Sequence, residues 1–243
     1  MTGGASGLGA ATSQALAKRG AKVFALDLPA SVETAQDGDG IEYVAVDVTD
    51  PDQVRAAVAR AAGSGLPLRT VVNCAGIGPS MRILGKNGVH DLALYAKVVQ
   101  VNLIGSFNVL ALASERIAET EADGNGQRGV IINTASVAAY EGQVGQAAYS
   151  SSKGGILGLT LPAARDLAQY GIRVCTIAPG IVDTPMLATV SEEFRAGLAA
   201  GVPFPKRLAR PDEYAQLALS IIEHDYLNGE TIRMDGALRM APR

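Results

Sequence analysis

The sequence predicts an α/β fold: one domain with a doubly wound, mostly parallel sheet covered by helices on both faces, in three layers. Short β-branched runs alternate with longer helical segments along the 243 residues. Several of the runs are apolar at successive positions, as in strands that are covered on both faces. No linker or internal repeat interrupts the pattern. Alternation of this kind implies right-handed β-α-β crossovers within a single domain, residues 1–243.

The individual elements follow from local signals. The first helix ends at Gly20, a C-terminal glycine signal. Another begins after Asp50-Pro51, a capping residue followed by proline at the first helical position. Strands are predicted at Lys22–Leu26, Ile41–Val46, Thr70–Asn73, Val130–Thr134, Ile172–Ile177 and Thr231–Met234. Helices are predicted at Leu8–Arg19, Gln53–Ala62, Asp91–Glu119, Ala147–Tyr170 and Pro211–Glu223.

Two further segments lie between these elements. Glu121–Gly129 is polar and contains glycine, which predicts a surface loop. Pro185–Pro205 has no strand character and predicts a helical excursion over the sheet. In an enzyme, a substrate lid would lie at this position.

Composition and charge argue against several functions. The net charge of −3 gives no basic surface for nucleic acid or anionic lipid. No stretch reaches about 18 apolar residues without a break, so a membrane-spanning helix is not expected. From the charge and the apolar pattern together, we expect neither nucleic acid nor a membrane as partner. The chain has two cysteines and two histidines, namely Cys74, Cys175, His90 and His224. These four side chains cannot complete a zinc site without other donors, so no metal is expected. The cysteines are expected to be buried thiols in a reducing compartment.

Thr2–Gly9 is a glycine-rich turn that opens the first helix. It does not fit the spacing G-x-G-x-x-G, because Gly7-x-Gly9 is followed by Thr12. Glycines at these points still allow a tight turn and close approach of the backbone to a pyrophosphate at the helix N-terminus. A small-residue turn without a ligand is the alternative. The predicted cofactor contacts in this turn are Gly3, Ser6, Gly7 and Leu8.

Asp27 is the second indication of a dinucleotide. Asp27 directly follows the predicted strand Lys22–Leu26, which corresponds to the second strand of such a fold. A carboxylate at the end of that strand can bind the adenosine ribose hydroxyls. A carboxylate there would also repel a 2′-phosphate, and Ser6 supplies no compensating cation, so the sequence favours NAD over NADP. A solvated Asp at a strand end is the alternative.

The next two strand ends add weaker indications. Asp47 and Val48 follow a strand, and Asp47 is suited either to the adenine amino group or to capping the next turn. Asn73, Ala75 and Gly76 end the following strand with residues that let the backbone pass close to an adenosine. An ordinary exit from a strand into a turn explains them equally well.

Tyr149 and Lys153 form a Tyr-x-x-x-Lys pair on one face of a predicted helix. An adjacent ammonium favours the phenolate and lowers the pKa of tyrosine from about 10. Such a tyrosine can exchange a proton with an alcohol or a carbonyl while hydride moves. Chance also produces pairs with this spacing, so the surrounding residues decide the interpretation.

Those surroundings support proton chemistry. Ser136 ends a strand, and its hydroxyl can bind a substrate oxygen beside Tyr149. Asn102 lies in the long preceding helix and can hold a water that links Lys153 to solvent; an exposed or locally satisfied helix Asn is the alternative. After the predicted strand Ile172–Ile177, the residues suited to bounding a nicotinamide are Pro179, Gly180, Val182 and Thr184.

In their order and spacing, these motifs resemble a short-chain dehydrogenase/reductase over the whole chain. The resemblance implies a Rossmann-type fold and hydride transfer between nicotinamide and a secondary alcohol or ketone, without metal. It implies Tyr149 as general acid/base and Ser136 as anchor of the substrate oxygen. It also implies Lys153 as ligand of the nicotinamide ribose and Asn102 as part of the proton relay.

Within the family, Arg128–Ala139 and Glu141–Gln146 resemble the type-2 3-hydroxyacyl-CoA dehydrogenase branch, whose members include 17-beta-hydroxysteroid dehydrogenases. The resemblance implies an acyl-CoA or related carbonyl substrate, fatty acid metabolism and a homotetramer. Animal members of the branch carry a mitochondrial leader; this sequence shows none, so a cytoplasmic location is expected. Gln143 and Gln146 would line the substrate pocket, with a polar helix-entry loop as alternative. Rivals are a 3-oxoacyl-carrier-protein reductase, another secondary-alcohol dehydrogenase and a non-catalytic dinucleotide-binding sensor.

The start of the sequence departs from this pattern, because the first strand is missing. A glycine turn of this kind follows a buried central strand, yet only Met1 and Thr2 precede it here. Loss of a central strand would leave ladders unpaired and apolar faces exposed, so we expect destabilisation. The hypothesis is a misassigned start codon or a trimmed sequence, and it is wrong if the in-frame upstream codons encode no apolar strand.

Overall fold

The computed structural model describes residues 1–36, 38–86, 88–187 and 191–242. The helices are α1 Gly7–Lys18, α2 Pro29–Glu33, α3 Pro51–Ala62, α4 Leu92–Val99, α5 Ser106–Ala118, α6 Ala147–Ala168, α7 Glu192–Ala200 and α8 Pro211–Glu223. The strands are β1 Val23–Asp27, β2 Ile41–Ala45, β3 Thr70–Asn73, β4 Leu84–Gly85, β5 Gly88–Val89, β6 Gly129–Thr134, β7 Ile172–Pro179 and β8 Thr231–Met234. A π-helix, Gln100–Gly105, joins α4 to α5.

Apart from the antiparallel β4–β5 hairpin, the strands form one parallel sheet, as the alternating pattern predicts. β1 pairs with β2, and β3, β6, β7 and β8 pair in that order. Thr2 joins the two groups through parallel bridges to Leu26 of β1 and Asn73 of β3. The order across the sheet is therefore β2, β1, residues 1–2, β3, β6, β7, β8, and the carboxyl ends of all these strands lie at one edge.

Met1 and Thr2 occupy the central position that the sequence assigns to a first strand. The Met1 carbonyl accepts from the Leu26 amide at 2.7 Å, and the Thr2 amide donates to the Val72 carbonyl at 3.0 Å. The Thr2 carbonyl accepts from the Cys74 amide at 3.3 Å. At the edge that carries the glycine turn, the backbone ladder is therefore closed on both sides of these two residues.

Helices cover both faces of the sheet and give the predicted three layers. On one face, apolar residues of α3, α5 and α6 pack with β1 and β6 into the larger core cluster, which includes Val54, Val109, Ile117 and Ile131. On the other face, α8 packs its apolar side on β3, β6 and β7, in a cluster that includes Val72, Ile132, Cys175, Tyr214 and Ile221. Burial of these side chains is the main source of stability for the fold.

The long apolar helix predicted at 91–119 is a continuous unit of α4, the π-helix and α5. Over Leu92–Ala118 its most apolar window has a mean hydropathy of 1.4, and by length and composition it could cross a membrane. Core helices of globular proteins pass the same test. Val98, Asn102, Val109 and Ile117 of this unit are buried within the domain.

Several elements differ from the prediction. The short helix α2 and the β4–β5 hairpin were not predicted, since neither has a distinct apolar period. The predicted lid region contains a 3₁₀ turn, Pro185–Leu187, and helix α7, which agrees with a helical excursion; its residues 188–190 lie outside the described residues. Elsewhere the predicted helices and strands are found within one or two residues of their bounds.

Candidate active site

Tyr149 and Lys153 lie one turn apart at the start of α6, whose first turns pack against the residues that follow β6. The Lys153 ammonium nitrogen lies 5.8 Å from the centre of the Tyr149 ring. Ser136 follows β6 and caps the 3₁₀ turn Val137–Ala139 by accepting from the Ala138 amide at 3.1 Å. The strand end and the helix therefore bring three of the four predicted catalytic side chains to one place; the fourth is Asn102.

The phenol of Tyr149 favours its protonated form in this structure. Burial raises the pKa of Tyr149 above its usual value, and a hydrogen bond with Ser136 opposes that shift. The Tyr–Lys spacing alone predicts a lowered pKa for Tyr149, because the spacing reveals the nearby ammonium but not the burial that desolvates the phenolate. The phenol therefore carries its proton at neutral pH in the ligand-free chain.

Lys153 is 5 % exposed, and its ammonium donates to the Thr134 carbonyl at 2.7 Å. Burial lowers the pKa of Lys153 to about 8. The ammonium form thus persists at neutral pH but is costly to bury. Thr134 is the last residue of β6, so the strand end fixes the position of the ammonium.

Asn102 lies in the π-helix and is fully buried. Its Oδ1 accepts from the Ile77 amide at 2.8 Å, and its Nδ2 donates to the Ile77 carbonyl at 2.9 Å and to Ser152 Oγ at 3.0 Å. The side chain thus joins the turn after β3 to helix α6. A locally satisfied Asn was the alternative in the sequence; the contacts are instead long-range, and the predicted water relay stays a prediction.

The glycine turn packs tightly on its neighbours. Gly3 has φ +60, and a Cβ there would lie 2.8 Å from the Ala75 nitrogen. A Cβ on Gly9 would lie 2.0 Å from the Gly3 carbonyl oxygen. Only glycine fits at these points, so the turn brings the start of α1 against Ala75 and the turn after β3.

The N-terminus of α1 is open to an anion. Ser6 is its N-cap and makes no side-chain capping bond, and no acidic residue lies in the first turn. The backbone N–H groups of Gly7 and Leu8 point out of such a helix start, where the helix dipole favours negative charge. The Leu8 side chain packs on the core cluster under α8. These features fit a pyrophosphate at this helix end.

Asp27 and Thr184 face the same turn from two sides. Asp27 closes β1, and its Oδ2 accepts from the Ala5 amide at 3.0 Å while Oδ1 accepts from the Leu28 amide at 2.9 Å. Each carboxylate oxygen retains a lone pair for a hydroxyl. A Cβ on Gly7 would lie 3.5 Å from Thr184, which places the loop after β7 directly opposite the turn.

The remaining predicted cofactor residues line the same edge of the sheet. Pro179 ends β7, the Gly180 amide donates to the Met234 carbonyl at 2.9 Å, and Val182 is buried and bridges Ala209. A Cβ on Gly76 would lie 3.2 Å from Asn102 Oδ1 and 3.6 Å from Lys153 Nζ. Gly76 thus keeps the space beside Lys153 open.

Asp47, Val48 and Asn73 have side chains that are already engaged. Asp47 Oδ1 accepts from the amide and the hydroxyl of Thr49 at 2.9 and 2.8 Å, which is the capping alternative. Val48 is buried against Gly105. The side-chain nitrogen of Asn73, Nδ2, donates to Asn133 Oδ1 at 2.9 Å. A cofactor contact from Asn73 would therefore be made by its backbone.

Gln143 and Gln146 lie in the loop before α6, which the chain's C-terminal tail covers. Gln143 Nε2 donates to the Ala241 carbonyl at 2.9 Å, and Gln146 Oε1 accepts from the Gln143 amide at 2.9 Å. Glu141 joins the same loop to Arg233 at 2.9 Å and accepts from the Met240 amide at 3.2 Å. The hydrogen bonds favour the helix-entry alternative for Gln146, while contact with substrate stays a prediction for both.

Sequence reasoning missed several residues of this site. Ser152 links Asn102 to α6, since its hydroxyl donates to the Tyr149 carbonyl at 2.8 Å. A Cβ on Gly78 would lie 3.5 Å from the Tyr149 ring and from Met186 Sδ. The position of Ser152 inside the Tyr-x-x-x-Lys motif is the one sequence feature that could have identified it. Gly78 and Met186 are far apart in sequence and belong to no motif that could have identified them.

Two other features lie outside this constellation. A cavity of about 390 Å³ between α8 and residues 202–209 is lined by none of the predicted site residues. Among the residues that the structure describes, no group of three His, Cys, Asp or Glu side chains is placed to hold a metal ion.

The open helix start, Asp27 and the Ser136–Tyr149–Lys153 group together define a dinucleotide-dependent oxidoreductase. The model of the short chain dehydrogenase family matches residues 1–194, and the chain belongs to this family. It is an enzyme that acts on CH–OH groups.

Particular relatives narrow the comparison. The chain is 51% identical over 247 residues to "3-hydroxyacyl-CoA dehydrogenase type-2" of Drosophila melanogaster, covering 100% of this chain and 97% of that protein. It is 52% identical over 247 residues to the protein of the same name from Homo sapiens, covering 100% and 95%. The crystal structure of 3-hydroxyacyl-CoA dehydrogenase type-2 from Mycobacterium avium superposes with a TM-score of 0.94 at 44% identity, covering 100% of this chain and 95% of that one.

Proposed function

We propose that the chain interconverts 3-hydroxyacyl-CoA and 3-oxoacyl-CoA with NAD as cofactor. The observation that carries the proposal is the grouping of Ser136, Tyr149 and Lys153 at the edge of the sheet that holds the open start of α1. The relatives of that name, at about half identity over the whole chain, support the choice of substrate.

The residues of the chain divide the proton chemistry among them. A bound nicotinamide supplies or accepts the hydride. In reduction, Tyr149 donates its phenolic proton to the carbonyl oxygen, and the raised pKa of Tyr149 keeps that proton available at neutral pH. Ser136 donates a hydrogen bond to the same oxygen as negative charge develops there. In oxidation, the phenolate accepts the proton of the alcohol, and the buried Lys153 ammonium stabilises that phenolate.

The choice of NAD over NADP depends on Asp27. Both of its oxygens already accept backbone amides, which fixes the carboxylate at the end of β1. A 2′-phosphate placed beside this fixed negative charge would be repelled, whereas ribose hydroxyls can donate to its remaining lone pairs. Kinetics with NADH and NADPH test this choice; a preference for NADPH would contradict it.

The substrate is tested by a direct comparison. NADH oxidation is measured with acetoacetyl-CoA, longer 3-oxoacyl-CoA thioesters, a 3-oxoacyl-carrier protein and a panel of ketosteroids. We expect the highest kcat/KM with a 3-oxoacyl-CoA. A higher value with the carrier protein or a steroid would assign the chain to that rival instead, and binding of NADH without turnover of any carbonyl would favour a sensor.

We also propose a homotetramer, in which second copies cover the apolar outer side of α4 and α5. The side chains of Leu92, Tyr95, Ile104 and Phe107 are 77%, 39%, 40% and 49% exposed, a concentration of apolar surface that is unusual for a monomer. Light scattering after gel filtration should give four times the mass of the chain. A monomer, or binding of the chain to neutral lipid vesicles, would contradict this proposal.

A cytoplasmic location is proposed on the state of the cysteines. Cys74 and Cys175 are both free thiols, as in proteins of reducing compartments. Fractionation of cells that express the chain tests the location.

A further inference from the structure

Tyr214 lies on α8, behind the sheet, and its whole side chain is buried. Its ring packs in the apolar cluster with Val72, Ile132 and Ile177. A phenol in such surroundings needs a partner for its hydroxyl group. The partner is Thr134 Oγ1 at 2.7 Å, on the last residue of β6.

Cys74 completes a closed group of three. Thr134 Oγ1 lies 3.5 Å from Cys74 Sγ, and Cys74 Sγ lies 3.6 Å from the Tyr214 hydroxyl. With Tyr214 donating to Thr134, Thr134 to Cys74 and Cys74 to Tyr214, each group donates once and accepts once. Burial raises the pKa values of Cys74 and Tyr214, so both remain protonated and the group carries no charge.

Thr134 connects this group to the catalytic residues. Its side chain binds Tyr214, while its backbone carbonyl accepts the hydrogen bond of the Lys153 ammonium at 2.7 Å. Among the described residues, the Thr134 carbonyl is the one group that accepts a hydrogen bond from Lys153 Nζ. Ser136 follows two residues later on the same strand end.

We propose that Tyr214 is a positioning residue of the active site, which holds Thr134 by its hydroxyl and thereby fixes the carbonyl that binds Lys153. The inference rests on the proposed dehydrogenase function for its kinetic consequences. Its structural consequence, the position of the Lys153 ammonium, is independent of the substrate.

The physical effect of losing the Tyr214 hydroxyl follows from burial. Thr134 would lose one side-chain partner, and the end of β6 would gain freedom. A carbonyl that moves away from Lys153 leaves the ammonium less stabilised in a site that already disfavours charge. The neutral amine then forms at a lower pH, and the phenolate of Tyr149 loses part of its electrostatic support.

The test begins with Tyr214→Phe, which keeps the ring and deletes the hydroxyl. Tyr226→Phe is the matched control, since Tyr226 is 95% exposed. We expect kcat/KM of Tyr214→Phe to fall roughly 5- to 20-fold, the effect of one buried hydrogen bond. The midpoint at which alcohol oxidation rises with pH should move upward. The control should show neither change, and a folded Tyr214→Phe with the wild-type pH profile would overturn the inference.

Substitutions at Thr134 guard against a folding defect in Tyr214→Phe. Thr134→Ser keeps the hydroxyl and should stay near wild type, whereas Thr134→Val should reproduce the loss in kcat/KM and the shift in pH profile. The double variant of Tyr214→Phe and Thr134→Val should lose no more than either one, because both delete the same hydrogen bond. Fully additive losses would contradict the inference.

A measurement without substrate separates this inference from the proposed function. The free energy of unfolding is compared between Lys153→Met and the parent chain across pH, with Tyr or with Phe at position 214. The difference in free energy of unfolding, parent minus Lys153→Met, should rise with pH as Lys153 loses its proton. This rise should begin at a lower pH when position 214 is Phe and the Tyr214 hydroxyl is absent. If it begins at the same pH, the inference is wrong, whether or not the chain reduces any carbonyl.

Discussion

Asn102 and Ile77 are joined by two hydrogen bonds, one in each direction between the Asn amide and the Ile backbone, at 2.8 and 2.9 Å. The side chain thus pairs with a peptide group much as a neighbouring strand would. This pair holds the turn after β3, with Gly76 and Gly78, against the π-helix. The turn that borders the catalytic group is therefore positioned by a residue far along the chain.

Asn102→Ala should destabilise the fold strongly. It deletes three hydrogen bonds and leaves the amide and carbonyl of Ile77 without a partner. Urea unfolding should show a loss of about 3 to 4 kcal/mol. Asn108→Ala is the control on the same helical unit, because Asn108 donates one bond to the Val48 carbonyl, and it should cost about 1 kcal/mol. Equal losses would contradict the bridging role.

Tyr149→Phe should abolish turnover and leave NADH binding nearly intact. The variant lacks the phenolic proton that the proposed reaction needs and keeps the ring on α6. Stopped-flow or steady-state rates should fall by at least about 100-fold. NADH affinity is followed by fluorescence. Full activity in this variant would refute the proton-transfer role of Tyr149.

Asp27→Asn should narrow the preference for NADH over NADPH. The substitution removes the negative charge and preserves the shape of the side chain, so repulsion of a 2′-phosphate disappears. The ratio of kcat/KM values for the two cofactors should fall by roughly tenfold or more. Asp166→Asn, at an exposed position on α6, makes the same change of charge elsewhere. A ratio unchanged in Asp27→Asn would show that another group selects the cofactor.

Lys153 should make stability depend on pH in an alkaline window. Burial lowers the pKa of Lys153 from 10.5 to about 8, so between these values the unfolded chain binds more protons than the folded chain. Stability therefore rises with pH across this window, by about 3 kcal/mol in total from this group. The buried tyrosines and cysteines oppose it, so the quantity to measure is the difference between wild type and Lys153→Met.

That difference should stay constant below about pH 8 and shift in favour of wild type up to about pH 10.5. Lys97→Met, at an exposed lysine of α4, is the control for removing a positive charge. No change of the Lys153→Met difference across the window would contradict the assigned burial.

Gly78 should limit the size of the acyl group. A Cβ at this position lies 3.5 Å from the Tyr149 ring and from Met186 Sδ, so a methyl group fits and a larger side chain fills the space between them. Gly78→Val should raise KM increasingly for longer or branched 3-oxoacyl-CoA substrates and leave NADH binding unchanged. Gly124→Val, in open space in a surface loop, should leave every KM unchanged.

The sequence was sufficient for the sheet and the helices around it, because the apolar period is a local signal. Short motifs also singled out Ser136, Tyr149 and Lys153, which the fold brings close together, and their catalytic roles stay a prediction. It was not sufficient for the role of Asn102, since its partners Ile77 and Ser152 meet it only in the folded chain. The direction of the Tyr149 pKa also depends on burial, which the spacing to Lys153 does not reveal. Tyr214 gave no signal at all, because α8 reaches Thr134 through the core.

The C-terminal tail has a practical consequence for anyone who handles the enzyme. Ala241 and Pro242 accept hydrogen bonds from Gln143 and Val144, and Glu141 binds both Arg233 and the Met240 amide. The last described residues are thus packed on the loop that leads into α6, the helix that carries Tyr149 and Lys153. An affinity tag or fused partner attached at this end should disturb that loop, so we expect kinetic constants measured on such a fusion to differ from those of the untagged chain.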